Sequence, residues 1–174
     1  HSNLGTRRGG MIIYDAQDGF QRQIHNIENT PFRTKFENDI VKFHGNQGIG
    51  CISDTDPQPL LIRSKLGVYA ISTIGIINNA ADLLKQYLSF SSGHFNAMTS
   101  GRVNSTELVA ALIDQKNSFE EGIRFAQEVI EGTLSLLILR DNGEIIAARD
   151  RVGRIPIVIG RSEDGHCASF ESYV

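Results

Sequence analysis

Arg149-Asp150-Arg151-Val152-Gly153-Arg154-Ile155-Pro156, running on into Ile157-Val158-Ile159-Gly160, is the most specific stretch of this 174-residue chain. A glycine and a proline within eight residues make a tight reversal, because glycine accepts positive φ and proline fixes its own. Alone, the stretch suits an ordinary turn as well as a functional loop, so its meaning comes from its neighbours. Upstream, Leu134 to Leu139, the pair Asn142-Gly143 and Ile145 to Ala148 predict a hairpin, since Asn-Gly favours the φ values of a type I′ turn. Downstream, Ile157 to Ile159 predicts a further strand.

Two helices precede that hairpin. Asn104 with Glu107 resembles a capping box ahead of Leu108, Val109, Leu112 and Ile113, and Ser118 with Glu121 repeats it ahead of Ile123, Phe125, Ala126 and Ile130, with Gly132 as the stop. Farther back, Asn79 and Asp82 introduce a helix bearing Leu83, Leu84, Tyr87 and Leu88. Ile49 to Ile52, Leu60 to Ile62 and Val68 to Ile74 predict three strands of one sheet. Near the start, Met11 to Tyr14 predicts a strand closed by Asp18-Gly19. Thr30-Pro31 caps a helix with Phe32, Phe36, Ile40 and Phe43 at helical spacing. Strands, then helices, then strands again, joined by hairpins, argue for antiparallel sheets with segregated helices.

Composition excludes several classes. The net charge is −3, aromatics are 7% and the basic residues are scattered, so no nucleic-acid footprint is visible. No apolar run approaches the roughly 20 residues of a membrane span. Cys51 and Cys167 stand apart without metal-type spacing, which gives no metal site and no disulfide framework. We expect one domain over residues 1–174, a cytoplasmic setting and no cofactor. A homo-oligomer is compatible with the sequence. The absence of Met at position 1 leads us to expect residues ahead of His1.

The Arg149-to-Gly160 stretch resembles the Arg-Asp-x-x-Gly-x-x-Pro-Leu-x-x-Gly signature of class II, or N-terminal-nucleophile, glutamine amidotransferases. Ala168-Ser169-Phe170-Glu171-Ser172 is similar to that family's Ala-Ser-Glu segment, and Thr106-Glu107 to its Ser-Asp-Thr-Glu. Gly75-Ile76-Ile77-Asn78-Asn79 is similar to the end of its His-Asn-Gly-Asn-Leu-x-Asn loop, Gly48-Ile49-Gly50 to its Ile-Gly-His-x-Arg-Tyr strand and Arg8-Gly9 to its His-Arg-Gly element. These matches run from about Leu4 to Ser172 and are nearest to the amidophosphoribosyltransferase branch. The resemblance implies an α+β fold, the Ntn-hydrolase αββα sandwich of two stacked, mainly antiparallel sheets flanked by helices. It also implies a phosphoribosyltransferase-like domain following this one, using ammonia in purine nucleotide synthesis.

Such an enzyme attacks the glutamine side-chain amide with an N-terminal Cys thiolate, the α-amine serving as general base. The resemblance places that Cys ahead of His1. Its other roles fall within the chain. The family's arginine for the substrate α-carboxylate corresponds to Ser53, with Cys51 where His is usual. Its oxyanion-hole asparagine corresponds to Ile74, while the glycine whose N–H assists is kept as Gly75. Its aspartate for the α-ammonium corresponds to Ser105. Losing one oxyanion donor costs about a hundred- to thousandfold in rate, so we expect no catalytic residue here and weak or absent hydrolysis. The binding candidates are Gly75, Ser53, Ser105 and Arg8, around glutamine or a related amide or acid. The alternative is an active glutaminase whose N-terminal Cys precedes this chain.

Plainer readings stand beside these. Ile74 on an alternating strand favours core packing, and Ser105 suits a helix cap. Cys51 with His44 as base would make a displaced nucleophile, but an isolated Cys in an apolar strand is usually a small hydrophobe. Arg7 and Arg8 with Gly9 and Gly10 suit either an anion contact or a solvated loop. Arg149 and Asp150 would pair to fix their loop. Ser89 to Gly101, with His94 and Phe95, suits either a lid or a surface loop.

Overall fold

The computed structural model describes residues 7–54, 56–90, 98–99 and 102–171. His94, Phe95 and Ser172 lie outside them, as does the chain ahead of Arg7. In chain order the elements are β1 (Arg8–Asp15), β2 (Gly19–Asn26), α1 (Phe32–Ile40), β3 (Gln47–Ser53), β4 (Leu60–Ser64) and β5 (Gly67–Ile77). There follow α2 (Ala80–Phe90), β6 (Met98–Thr99), β7 (Arg102–Val103), α3 (Ser105–Ile113) and α4 (Phe119–Val129). The chain then runs through β8 (Gly132–Arg140), β9 (Ile145–Ala148), β10 (Val158–Arg161) and β11 (His166–Ser169).

Two sheets stack. One has the order β2-β1-β3, the other β4-β5-β8-β9, and their neighbouring strands are antiparallel. Side chains on β8 alternate between two cores, as the pleat requires. Leu134, Leu136 and Ile138 meet Leu108, Val109, Ile113, Ile123 and Ala126 from α3 and α4. Leu137 and Leu139 instead meet Ile12 of β1 and Ile49 of β3. The neighbouring β5 splits likewise, with Tyr69 and Ile71 toward the helices and Ala70 toward the other sheet. Each fully buried Leu or Ile contributes about 1.5–3 kcal/mol, which makes β5 and β8 the energetic centre.

The outer face of the first sheet is covered by α1. A Cβ added at Gly9 would lie 2.7 Å from Phe32 and 3.2 Å from Phe36. His25 of β2 packs edge-on to Phe36, their ring centroids 4.7 Å apart, and its Nε2 bonds Asp39 at 2.6 Å. At the end of the sheets away from Arg8, the Tyr14 hydroxyl of β1 donates to the Asp141 carbonyl after β8. Helix, sheet, sheet and helices in that order are the expected αββα sandwich.

Several local expectations are corrected. The three strands assigned to one sheet divide, β3 joining β1 and β2 while β4 and β5 build the second sheet. No side chain caps α1, so Thr30 does not act as its cap. Asn79 does not cap α2 through its side chain, which instead donates to Val129 O (2.8 Å) and accepts from Glu131 N–H (3.0 Å). The β8–β9 hairpin is not a two-residue turn. Arg140 N–H bonds Glu144 O across three residues, with Gly143 left-handed at φ 82°, a longer, bulged reversal. Gly132 opens β8 rather than ending α4. By contrast, Asn104 and Ser118 cap α3 and α4 as their spacing predicts.

Candidate functional site

Where the second half of β5 passes the start of α3, the surface opens into a cleft of about 90 Å³. Asp56, Gln58, Thr73, Ile74, Gly75 and Ser105 border it. Its position follows from local chemistry. Asn104 accepts from the Thr106 (2.8 Å) and Glu107 (3.3 Å) N–H groups and so fixes where α3 begins. The positive end of the helix dipole therefore faces the cleft. Ser105 N–H, left over by that cap, donates to Asp56 Oδ2 at 3.2 Å.

The floor is a polar network. Gln58, only 8% exposed, accepts from Thr73 N–H at 2.7 Å and from the Ser72 hydroxyl at 3.3 Å. Thr73 and Thr106 share a hydroxyl contact of 2.7 Å, tying β5 to α3. Beside them Gly75 has φ 151°. A Cβ there would stand 2.0 Å from Thr133 O on β8, so only glycine fits the approach.

The loop after β9 supports one wall. The buried Asp150 carboxylate accepts from Leu134 N–H (3.4 Å) and Arg154 N–H (3.3 Å), and its own N–H donates to Ser135 Oγ (2.8 Å). Leu134 also lines the cleft, so the loop clamps the start of β8 in register. The expected Arg149–Asp150 pair does not form among the described residues. The Arg149 guanidinium instead lies beside Gly153, where an added Cβ would be 3.7 Å from its Cζ.

The structure brings the four binding candidates together as two pairs. Gly75 and Ser105 share the cleft. Arg8 and Ser53 are direct partners in the β1–β3 ladder. Ser53 lies three residues before Asp56, so the two Cα atoms are within about 11 Å. Ile74 is not core: it is 42% exposed and lines the cleft. Ser105 is not the cap of α3, which is Asn104. Arg8, Gly9 and Gly10 do not lie in a loop but in a strand. Arg8 opens β1, Arg7 pairs with Glu28 at 3.3 Å, and a Cβ on Gly10 would fall 1.7 Å from Gln58 O. Burial pushes the Cys51 thiol upward, which disfavours the thiolate a nucleophile needs. His44 is engaged through its backbone with Gln21.

Sequence reasoning missed Asp56, Gln58 and Thr133. Asp56 belongs to a short polar connection between strands, where an acidic residue gives no signal of its own. Gln58 gave none either, because its amide serves the backbone of β5.

A family model described as a glutamine amidotransferase domain matches residues 46–174, 129 of the 174 residues. The amidophosphoribosyltransferase of Methanocaldococcus jannaschii is 32% identical over 177 residues, covering 96% of this chain and 36% of that protein. Among solved structures, glutamine phosphoribosylpyrophosphate amidotransferase from B. subtilis, complexed with ADP and GMP, matches with a TM-score of 0.75 at 25% identity. That match covers 94% of this chain and 35% of the other. A structure described as the allosteric regulatory enzyme of purine biosynthesis shares the fold, with a TM-score of 0.78 at 23% identity and coverage of 96% and 36%. The chain spans about a third of the length of these proteins.

Proposed function

The chain belongs to the glutamine amidotransferase domain family, and from that premise we propose that it is an amidophosphoribosyltransferase-like member that keeps the frame of the glutamine site without efficient hydrolysis. Its role in this reading is to bind a small amide or acid and to regulate or scaffold. Transfer of ammonia to phosphoribosyl pyrophosphate belongs, in the same reading, to a second domain beyond this one.

One observation carries the reading. Gly75 is held where its backbone reaches the cleft, while the neighbouring position presents the aliphatic, 42% exposed Ile74. A tetrahedral oxyanion needs preorganised donors, and an oxyanion hole with one side-chain amide missing loses about 2.7–4 kcal/mol of transition-state stabilisation. Ser53 and Ser105, which replace a cation and an anion, remove charge from the two positions that hold the substrate backbone in this family. Neither loss disturbs the fold, because the Asp150 clamp, the Asn104 cap and the Gln58 network are independent of them.

The test is to supply the missing donor. Glutamate release from glutamine is compared between the full-length protein with its natural N-terminus and its Ile74→Asn variant. We expect the unmodified protein at background and the variant above it, by up to about a hundred- to thousandfold. Ready turnover by the unmodified protein, with no gain in the variant, contradicts the reading.

A further inference from the structure

On the face of the second sheet turned away from the first, α2, α3 and α4 border a cavity of about 230 Å³ that the glutamine-site reading leaves unused. Two contacts fix its shape. Gly122 of α4 lies so near α3 that an added Cβ would stand 2.4 Å from the Ile113 carbonyl oxygen. Near the other end of α4, Asn79 ahead of α2 donates to the Val129 carbonyl at 2.8 Å. Between these ties the three helices part. Phe125 and Val129, four residues apart and so on one face of α4, make an apolar wall with Leu83 of α2 and Leu112 of α3, and Tyr87 adds a second ring. Lys116 holds the Phe125 ring in place, its Nζ 4.2 Å from the centroid.

The polar groups at this cavity are amides. Gln86 of α2 and Gln115, just past α3, border it, and neither side chain has a hydrogen-bond partner among the described residues. No Asp, Glu, Lys, Arg or His lines it, so an ionic ligand would lose its water without gaining a counter-charge. Two aromatic rings over an aliphatic floor suit an aromatic ring. A primary amide carries donor and acceptor side by side, which complements another amide edge. Size narrows the class further: about 150 Å³ of apolar cavity suffices for benzene, and drug-sized sites begin at about 300 Å³. We propose that this cavity binds a small, uncharged aromatic amide, its ring against Tyr87 and Phe125 and its amide edge on Gln86 and Gln115. The site is separate from the glutamine cleft, which lies at the opposite end of α3, and it does not depend on whether that cleft is silent.

The experiment is calorimetric titration of the full-length protein with three probes of one shape: benzamide, benzoate, which is charged, and toluene, which has no amide. Val129→Phe fills the cavity, and the double variant Gln86→Ala/Gln115→Ala removes the two exposed amides; thermal melts establish that both fold. Benzamide is expected to bind at about millimolar affinity or tighter, and benzoate at least about tenfold more weakly. Val129→Phe abolishes binding of benzamide and toluene alike. The double variant weakens benzamide by about fivefold or more and leaves toluene unchanged, a difference that stands even if Val129→Phe fails to fold. Absence of benzamide binding at ten millimolar, on the order of ten times the expected dissociation constant, overturns the site. Benzamide binding that a folded Val129→Phe variant retains overturns its location. Benzoate binding more tightly than benzamide, through Lys116, overturns the assignment to an uncharged ligand, and equal losses of benzamide and toluene in the double variant overturn the role of the two amides.

Discussion

At residue scale, the site rests on what Gly75 permits. Its φ of 151° and the 2.0 Å approach of an added Cβ to Thr133 O mean that any side chain must push β5 away from β8. We predict that Gly75→Ala lowers stability by at least about 2 kcal/mol, combining backbone strain with the displaced carbonyl. Urea unfolding measures this, and a change below 0.5 kcal/mol, the ordinary scatter of about that size for surface substitutions, would contradict it. The adjacent Ile74 shows why the sequence misled at one position. Alternation along β5 places Ile74 on the face of Ala70, which turns to the first sheet, but cover on that face ends after Ser72. Exposure there rises from 0% at Ala70 and 3% at Ser72 to 42% at Ile74 and 67% at Ile76. Parity alone therefore assigned Ile74 to a core that had already ended. Asp56 was illegible for a different reason: its partner is a backbone N–H forty-nine residues away, a relation that only the fold creates.

At the scale of elements, caps were readable where the side chain answers its own helix and unreadable where it answers something else. Asn104 bonds two N–H groups of α3 and is fully buried, whereas Thr30 makes no side-chain cap to α1. We predict that Asn104→Ala costs about 1–2 kcal/mol, and that Thr30→Ala stays within about 0.5 kcal/mol. Equal effects in chemical denaturation would contradict this. Asn79 had the same local pattern as Asn104, but its amide joins the α4–β8 connection, and nothing within its own segment marks that preference. The strand β2 was missed because, as an edge of its sheet, it carries Arg22, Gln23 and His25 between its few apolar residues. Its pairing comes from β1, which matches it residue for residue from Arg8↔Asn26 to Asp15↔Gly19. By contrast, the run Leu134 to Leu139, interrupted only by Ser135, was legible as a strand because both its faces are buried.

At the scale of the whole molecule, two stacked antiparallel sheets between helices carry the glutamine amidotransferase domain fold, and the family signature serves it structurally. Asp150 ties the loop after β9 to Leu134 and Ser135 at the head of β8, which holds the wall of the cleft whatever chemistry occurs there. On the proposed reading, that division lets hydrolysis be lost while the frame persists, because the clamp, the cap and the polar floor hold the fold without the Ile74 side chain. The central claim is that this frame does not turn glutamine over efficiently. It is tested most directly by steady-state glutamate release from L-glutamine, using the full-length protein with its natural N-terminus beside a variant whose first mature residue is alanine. We expect the same background rate from both; turnover by the unmodified protein that the alanine change abolishes would mean that the site is an active glutaminase.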